Sequence, residues 1–162
     1  MSPGPSLSLV VVSTGAPTLL RLLWSIQRNR LLARDEVLVI GNGEQRQAWD
    51  LTEQFGWRYR YRTGPTCDGP YPEAAWSYAI GIARGERLLV VDERDVLRPD
   101  AFERIRARCQ GPAPVRFRMD GTSGWYGLDQ WGVVWPTAML DDLEWPADGV
   151  ELVEDVIAER RP

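Results

Sequence analysis

The sequence predicts an α/β domain with a central, mostly parallel sheet flanked by helices and a small mixed second half. Three observations carry that expectation. Apolar runs alternate with helix-periodic segments from Leu7 to Arg108, the grammar of a parallel sheet built by crossover connections. Leu88-Leu89-Val90-Val91 is apolar at every position, as a central strand covered on both faces must be. From Val115 onward the pattern breaks into short alternating pieces between glycines, which read as antiparallel additions.

Leu7 to Val12, apolar and β-branched, is the first strand. Ser13-Thr14-Gly15-Ala16-Pro17 turns the chain, and Leu19, Leu20, Leu22, Leu23 and Ile26 continue as a helix up to the basic Arg28-Asn29-Arg30. Glu36 to Ile40 is a second buried strand ending at Gly41-Asn42-Gly43. A polar helix over about 45 to 55, with Trp49 and Leu51 inward, comes next. Trp57-Arg58-Tyr59-Arg60-Tyr61-Arg62 alternates with period two, so a half-exposed strand near a sheet edge carries aromatics on one face and arginines on the other. Such an arginine face is either a solvated edge or a basic stripe for single-stranded nucleic acid. Thr63 to Pro72 is loop, Glu73 to Ala83 a third helix, and Gly85 its terminating glycine. Pro99-Asp100 opens a fourth helix through about Arg108.

Beyond Gly111-Pro112-Ala113-Pro114, Val115 to Met119 and Gln130 to Trp135 are short strands, and Gly149 to Arg160 reads as a last helix. Trp125, Trp131 and Trp145 crowd this part. Tryptophans there either stack on the apolar face of a sugar, which makes them candidates for acceptor binding, or fill a core. The 162 residues fall in the size range of one domain, here 1–162, with a first half over about 1–100 and a smaller second half over about 101–162.

Composition narrows the chemistry. There is no histidine, which excludes Ser-His-Asp and Cys-His catalysis and His-ligated metal, and leaves Asp and Glu as the acids and bases. All 19 basic residues are arginine, and the net charge of −4 argues against a protein that coats nucleic acid. Cys67 and Cys109 have no metal-ligand spacing and read as free thiols. A leader without a positive segment, and the lack of any run long enough to span a bilayer, give the expectation of a cytoplasmic protein with no membrane span. Sequence is silent on oligomeric state.

Ligands of open α/β sheets bind outside the carboxyl ends of the strands, so Asp92, Glu93 and Asp95 stand where a crevice opens. Carboxylates in that position hold a hard cation against a diphosphate, which makes Asp92 and Asp95 the candidate metal ligands, and Arg94 can meet phosphate directly.

The order of these segments resembles the family-2-type glycosyltransferases, of the glycosyltransferase A-type (nucleotide-diphospho-sugar transferase) fold. Ser8 to Thr14 is similar to the family's first strand and loop, Leu22-Leu23-Trp24-Ser25-Ile26 to its first helix, and Asp35 to Ile40 to its second strand. Ala83-Arg84-Gly85-Glu86 resembles the motif on the amino-terminal side of the family's Asp-x-Asp, and Val96-Leu97-Arg98-Pro99-Asp100 resembles the segment on its carboxyl-terminal side. The resemblance implies a nucleotide-sugar donor held by Ser13, Thr14, Asn42, Ser77, Asp92 and Arg94, and a divalent Mn2+ or Mg2+ on Asp92 and Asp95. It implies Asp155 or Glu154, in Val153-Glu154-Asp155-Val156, as the base that activates an acceptor hydroxyl in an inverting transfer. The same pair reads alternatively as an acidic first turn of a helix. The acceptor is a small molecule, a glycan or a modified DNA base. Three positions depart from the family: Gly41 stands for an Asp at the end of strand two, Trp76-Ser77 for an Arg-Asn pair, and Arg94 for the second Asp. Arg94 either replaces part of the metal's charge, weakening metal dependence, or marks a degenerate fold that binds a nucleotide sugar or a protein without catalysis.

Overall fold

The computed structural model describes residues 5–15, 17–66 and 73–110, together with short strands over 115–116, 133–136, 151–152 and 157–160. Of those last strands, and of Glu73, Trp76, Ser77, Asp92 and Arg108, it describes the backbone alone.

The sheet grows from the most apolar runs of the chain. β1 (Leu7–Ser13) is buried along its whole length and lies between β2 (Glu36–Asn42) and β4 (Arg87–Asp92), parallel to both. β3 (Tyr59–Gly64) pairs parallel with β2 and forms the edge. Beyond β4 come β7 (Val133–Pro136), β6 (Val115–Arg116) and β8 (Glu151–Leu152), giving the order β3-β2-β1-β4-β7-β6-β8. The β4–β7 and β7–β6 pairs are antiparallel, as the change of pattern after Val115 predicts.

Period two assigns each strand residue to a face. Leu9, Val11, Val37, Val39, Leu89 and Val91 pack with α1 (Leu19–Gln27) and α4 (Ala101–Arg108) in one core cluster. Val10, Leu38, Ile40 and Leu88 are equally buried on the other face, the side that receives α3 (Glu73–Ile82), with Ala75 and Ala79 inward. α1 is amphipathic for the expected reason: Leu19, Leu22, Leu23 and Ile26 recur at helical spacing and are fully covered, each such side chain contributing about 1.5–3 kcal/mol of burial.

Polar side chains then fix the elements to one another. Asn29, buried after the end of α1, donates to Ser25 O and Arg98 O and accepts from Phe102 N, tying α1 to the start of α4. Asp35 accepts from Leu7 N and Leu32 N and pairs with Arg106. Ser25 Oγ accepts from Leu97 N at 2.9 Å, which sets β5 (Asp95–Leu97) against α1.

Four expectations change. Where the sequence predicts a helix over Gly149 to Arg160, the described residues are strand: β8 and β9 (Ile157–Arg160), β9 antiparallel to β5 with Asp95 opposite Arg160. Gly85 is not a left-handed cap, since only Gly15, Gly43 and Gly56 have positive φ among the described glycines. Its lack of a side chain matters instead because a Cβ would lie 2.5 Å from Ser8 N and 2.7 Å from Leu7 C, where the α3–β4 turn crosses the first strand. α2 (Arg46–Glu53) buries Ala48 and Thr52, while Trp49 lies 39% exposed against Tyr61. Trp57 precedes β3 and is 75% exposed, so only Tyr59 and Tyr61 keep to the inward alternation.

Candidate functional site at the carboxyl edge of the sheet

Strand order β2-β1-β4 reverses direction at β1, and the crevice expected of such a switch point opens beyond the carboxyl ends of β1 and β4. The register sets Val12 opposite Asp92, so Ser13 and Thr14 lead out of one strand as Glu93 leads out of the other. Glu93 crosses the gap. Its carboxylate accepts from Ser13 Oγ at 2.8 Å, from Thr14 N at 3.1 Å and from Thr14 Oγ1 at 2.6 Å, and Ser13 Oγ in turn accepts from Gly15 N at 3.1 Å. The two strand ends are thereby stapled by one charged group whose acceptor capacity is largely used.

This changes the part played by the predicted residues. Ser13 is fully buried and committed to Glu93, so of the first-strand pair Thr14 alone faces solvent. Arg94 is 7% exposed and partnered, and Asp95 is fully buried at the start of β5. Glu93, Arg94 and Asp95 are thus folded in rather than standing open to solvent. Among the described residues no group of three His, Cys, Asp or Glu is placed to hold a metal ion, and Glu93 is committed to Ser13 and Thr14. The side chains of Asp92 and Ser77 lie outside the described residues, as do Glu154, Asp155, Trp125, Trp131 and Trp145.

The β2 side of the crevice is occupied by groups that no motif announced. A Cβ on Gly41 would run into Tyr61 Oη and lie 2.6 Å from Gly43 O, so the position where the resembling family has Asp is filled by a tyrosine reaching over from β3. Tyr61 Oη accepts from Gln45 N at 2.9 Å, and its ring stacks on Trp49 at 6.2 Å and 5°. Gln45 Nε2 donates to Asn42 O, and its Oε1 sits so close to Gly15 that a Cβ there would be 2.7 Å away. Gln45 therefore bridges the loops after β1 and β2. The signal available in the sequence was the glycine itself: an absent side chain at a strand end leaves room that a neighbouring strand fills.

Below the crevice, Glu36 clasps three elements. It accepts from Ser8 Oγ and Arg84 N, both at 2.6 Å, and pairs with Arg60. Burial pushes its carboxyl up, but the bonds from Ser8, Arg84 and Arg60 outweigh burial and hold it below its ordinary value. Arg60 is consequently withdrawn from the arginine stripe, with 17% of its side chain exposed, and Arg58 lies over the Trp57 ring. A continuous basic face does not form on β3.

Comparison with solved structures places this arrangement. S. aureus TarS 1–349 in complex with UDP-GlcNAc superposes with a TM-score of 0.69 at 18% identity, over 85% of this chain and 47% of that one. The mannosyltransferase PcManGT from Pyrobaculum calidifontis, in complex with GDP-Man and Mn2+, gives a TM-score of 0.58 at 13% identity, over 72% of this chain and 36% of that one. The chain thus spans about half the length of TarS 1–349, and less of PcManGT and of the longer TarS chain. Neither protein-family models nor curated proteins gave a match. The fold is that of the glycosyltransferase A type, as the order of segments predicted. No helix among the described residues is long and apolar enough to cross a membrane.

Proposed function

We propose that the chain transfers a sugar from a nucleotide-sugar donor to an acceptor hydroxyl, with the donor diphosphate lying over the ends of β1 and β4. The observation that carries this reading is the Glu93 staple, which holds Thr14 and Asp92 at the two sides of the switch-point crevice of a fold whose solved relatives contain UDP-GlcNAc and GDP-Man. In this reading Thr14 and Asn42 contact the nucleotide, Asp92 and Arg94 stand at the diphosphate, and Gln45 and Tyr61 shape the nucleobase end. Asp155 or Glu154 takes the proton of the acceptor hydroxyl as its oxygen attacks the anomeric carbon, and the nucleoside diphosphate departs, inverting the centre. Trp125, Trp131 and Trp145 offer stacking faces for the acceptor. Dependence on Mn2+ or Mg2+ on Asp92 and Asp95 is weak, because Arg94 replaces a carboxylate and Glu93 is committed to Ser13 and Thr14.

A second reading rests on the same departures. Tyr61 over Gly41 and the folded-in Glu93, Arg94 and Asp95 also suit a domain of this fold that binds a nucleotide sugar and does not turn it over. Incubation with a panel of uridine and guanosine diphosphate sugars, with and without manganese, decides between them. Release of nucleoside diphosphate that Asp155→Asn lowers by about two to four orders of magnitude, with donor affinity kept, supports catalysis. Donor binding without release leaves the binding domain, and no binding of any donor ends both.

A further inference from the structure

The outer side of α1 separates two clefts. One is lined by Pro17, Leu20, Arg21, Trp24, Arg28 and, from β5, Val96. In the other, Gln27 of the same helix meets Phe55, Trp57 and Arg58. Trp24 joins the two, since its ring meets Phe55 edge-on at 5.5 Å. Leu20, Trp24 and Arg28 recur four residues apart and so form one stripe along the helix, on the side away from the covered Leu19, Leu22, Leu23 and Ile26. Apolar side chains on this face stand out into solvent: Leu20 is 39% exposed, Trp24 53% and Trp57 75%. Single exposed apolar residues are ordinary, but a run of them joined through Phe55 marks a surface that meets something else. Among the described residues that line the two clefts, the charged ones are all arginine.

We infer that this face docks the chain on an anionic lipid bilayer, with Leu20, Trp24 and Trp57 entering the headgroup boundary and Arg28 and Arg58 beside them meeting lipid phosphate. Indoles gather at that boundary because the ring is apolar and its N–H polar, and arginine stems lie along apolar surface while the guanidinium stays wet. Arg58, over the Trp57 ring at 5.0 Å, is such a unit. Charge selects the occupant. With a net charge of −4 the chain as a whole is repelled by an anionic surface, so approach is favourable only where arginines gather, and the exposed tryptophans stand there. A peptide helix would need its apolar floor recessed in a groove, whereas Trp24 and Trp57 project with more than half of each exposed. The inference stands independently of the transferase reading.

The test floats the full chain with vesicles of phosphatidylcholine alone and of phosphatidylcholine with about 30 mol% phosphatidylglycerol, the range in which a surface attracts basic segments. Binding to the anionic vesicles is expected to be at least about tenfold tighter than to the neutral ones, and to weaken as salt rises from about 0.1 to 0.5 M. Arg28→Gln should weaken it by about fivefold, and Trp24→Ser and Trp57→Ser each by about tenfold. In protein carrying 5-fluorotryptophan, nitroxide-labelled lipid should broaden the Trp24 and Trp57 resonances, assigned with Trp24→Phe and Trp57→Phe, more than that of Trp49 on α2. No flotation with either vesicle, equal flotation with both, or binding that survives all three substitutions overturns the proposal. So does a concentration-dependent dimer that the tryptophan substitutions dissolve and vesicles do not compete with, which would give the face to a second copy of the chain. Lipid composition and salt are varied on the unmodified chain, so the outcome does not depend on any variant folding.

Discussion

Glu93 shows how one side chain decides what a strand end can do. Its three donors come from two consecutive residues on another strand, so its removal unpairs Ser13 and Thr14 together. Glu93→Ala should cost about 2–4 kcal/mol in urea unfolding, the scale of a broken charged network, and should weaken donor binding by releasing the Thr14 loop. A variant as stable as the parent would mean that the staple forms only in passing. Glu36 gives a test by pH. Its carboxyl is held below the ordinary 4.5, so the folded state binds its proton less readily than the unfolded chain does. The stability it contributes is therefore complete above about 4.5 and is lost as pH falls through the lower folded value. The gap in unfolding free energy between the parent and Glu36→Gln should be constant from about pH 7 to 5.5 and should shrink toward pH 3. A gap that ignores pH would remove the charge from the account. The sequence marked the acidic run as the place of chemistry but read every carboxylate in it as facing out. Direction was illegible because Glu93 and Asp95 are drawn inward by Ser13, Thr14 and a strand from the far end of the chain, none of which a local pattern encodes.

At the scale of elements, the strands and helices of the first half were legible because each is buried in its own period: all-apolar for β1 and β4, helical for α1. The segment from Gly149 to Arg160 was not, since two short strands with few apolar residues are set by their partners, Val115–Arg116 for one and Asp95–Leu97 for the other. Period alone cannot report a partner. Gly85 is the intermediate case, correctly located as a required glycine but for a different reason. Its amide donates to Ser8 Oγ at 2.8 Å and its Cα lies against the β1 backbone, so any side chain pushes the α3–β4 turn off the first strand. Gly85→Ala should destabilise by about 1–3 kcal/mol, the usual scale of overpacking against backbone, and should do so with Ser8 unchanged. Denaturation midpoints of the two proteins decide it: an unshifted midpoint would show that the turn can move without loss. Cys109, buried in the core just past the end of α4, supplies an internal control. Burial raises its thiol to about 11, so it should resist alkylation near pH 8 in the folded protein and react once the core opens.

For the whole molecule, the crevice is formed by strand ends whose mutual position depends on the fold as a unit. A ligand that binds there and not to the unfolded chain must raise the midpoint of thermal unfolding by mass action, whatever its fate in catalysis. At about one hundred times its dissociation constant a donor contributes about 2.7 kcal/mol, which corresponds to a rise of about 5–11 °C for a chain of this size. The prediction is that at least one uridine or guanosine diphosphate sugar gives such a rise, and that adding millimolar manganese changes the apparent donor affinity by less than about tenfold, because a buried arginine stands beside Asp92 where a second carboxylate would hold the ion. Manganese alone should leave the midpoint where it was. Thermal scans against donor concentration, repeated with manganese and with Arg94→Gln, separate the possibilities. A donor that acts only when manganese is present, equally in the parent and in Arg94→Gln, would return the ion to the central place and reduce Arg94 to a packing residue; a donor effect lost in Arg94→Gln and restored by manganese would identify the guanidinium as the charge that does the ion's work.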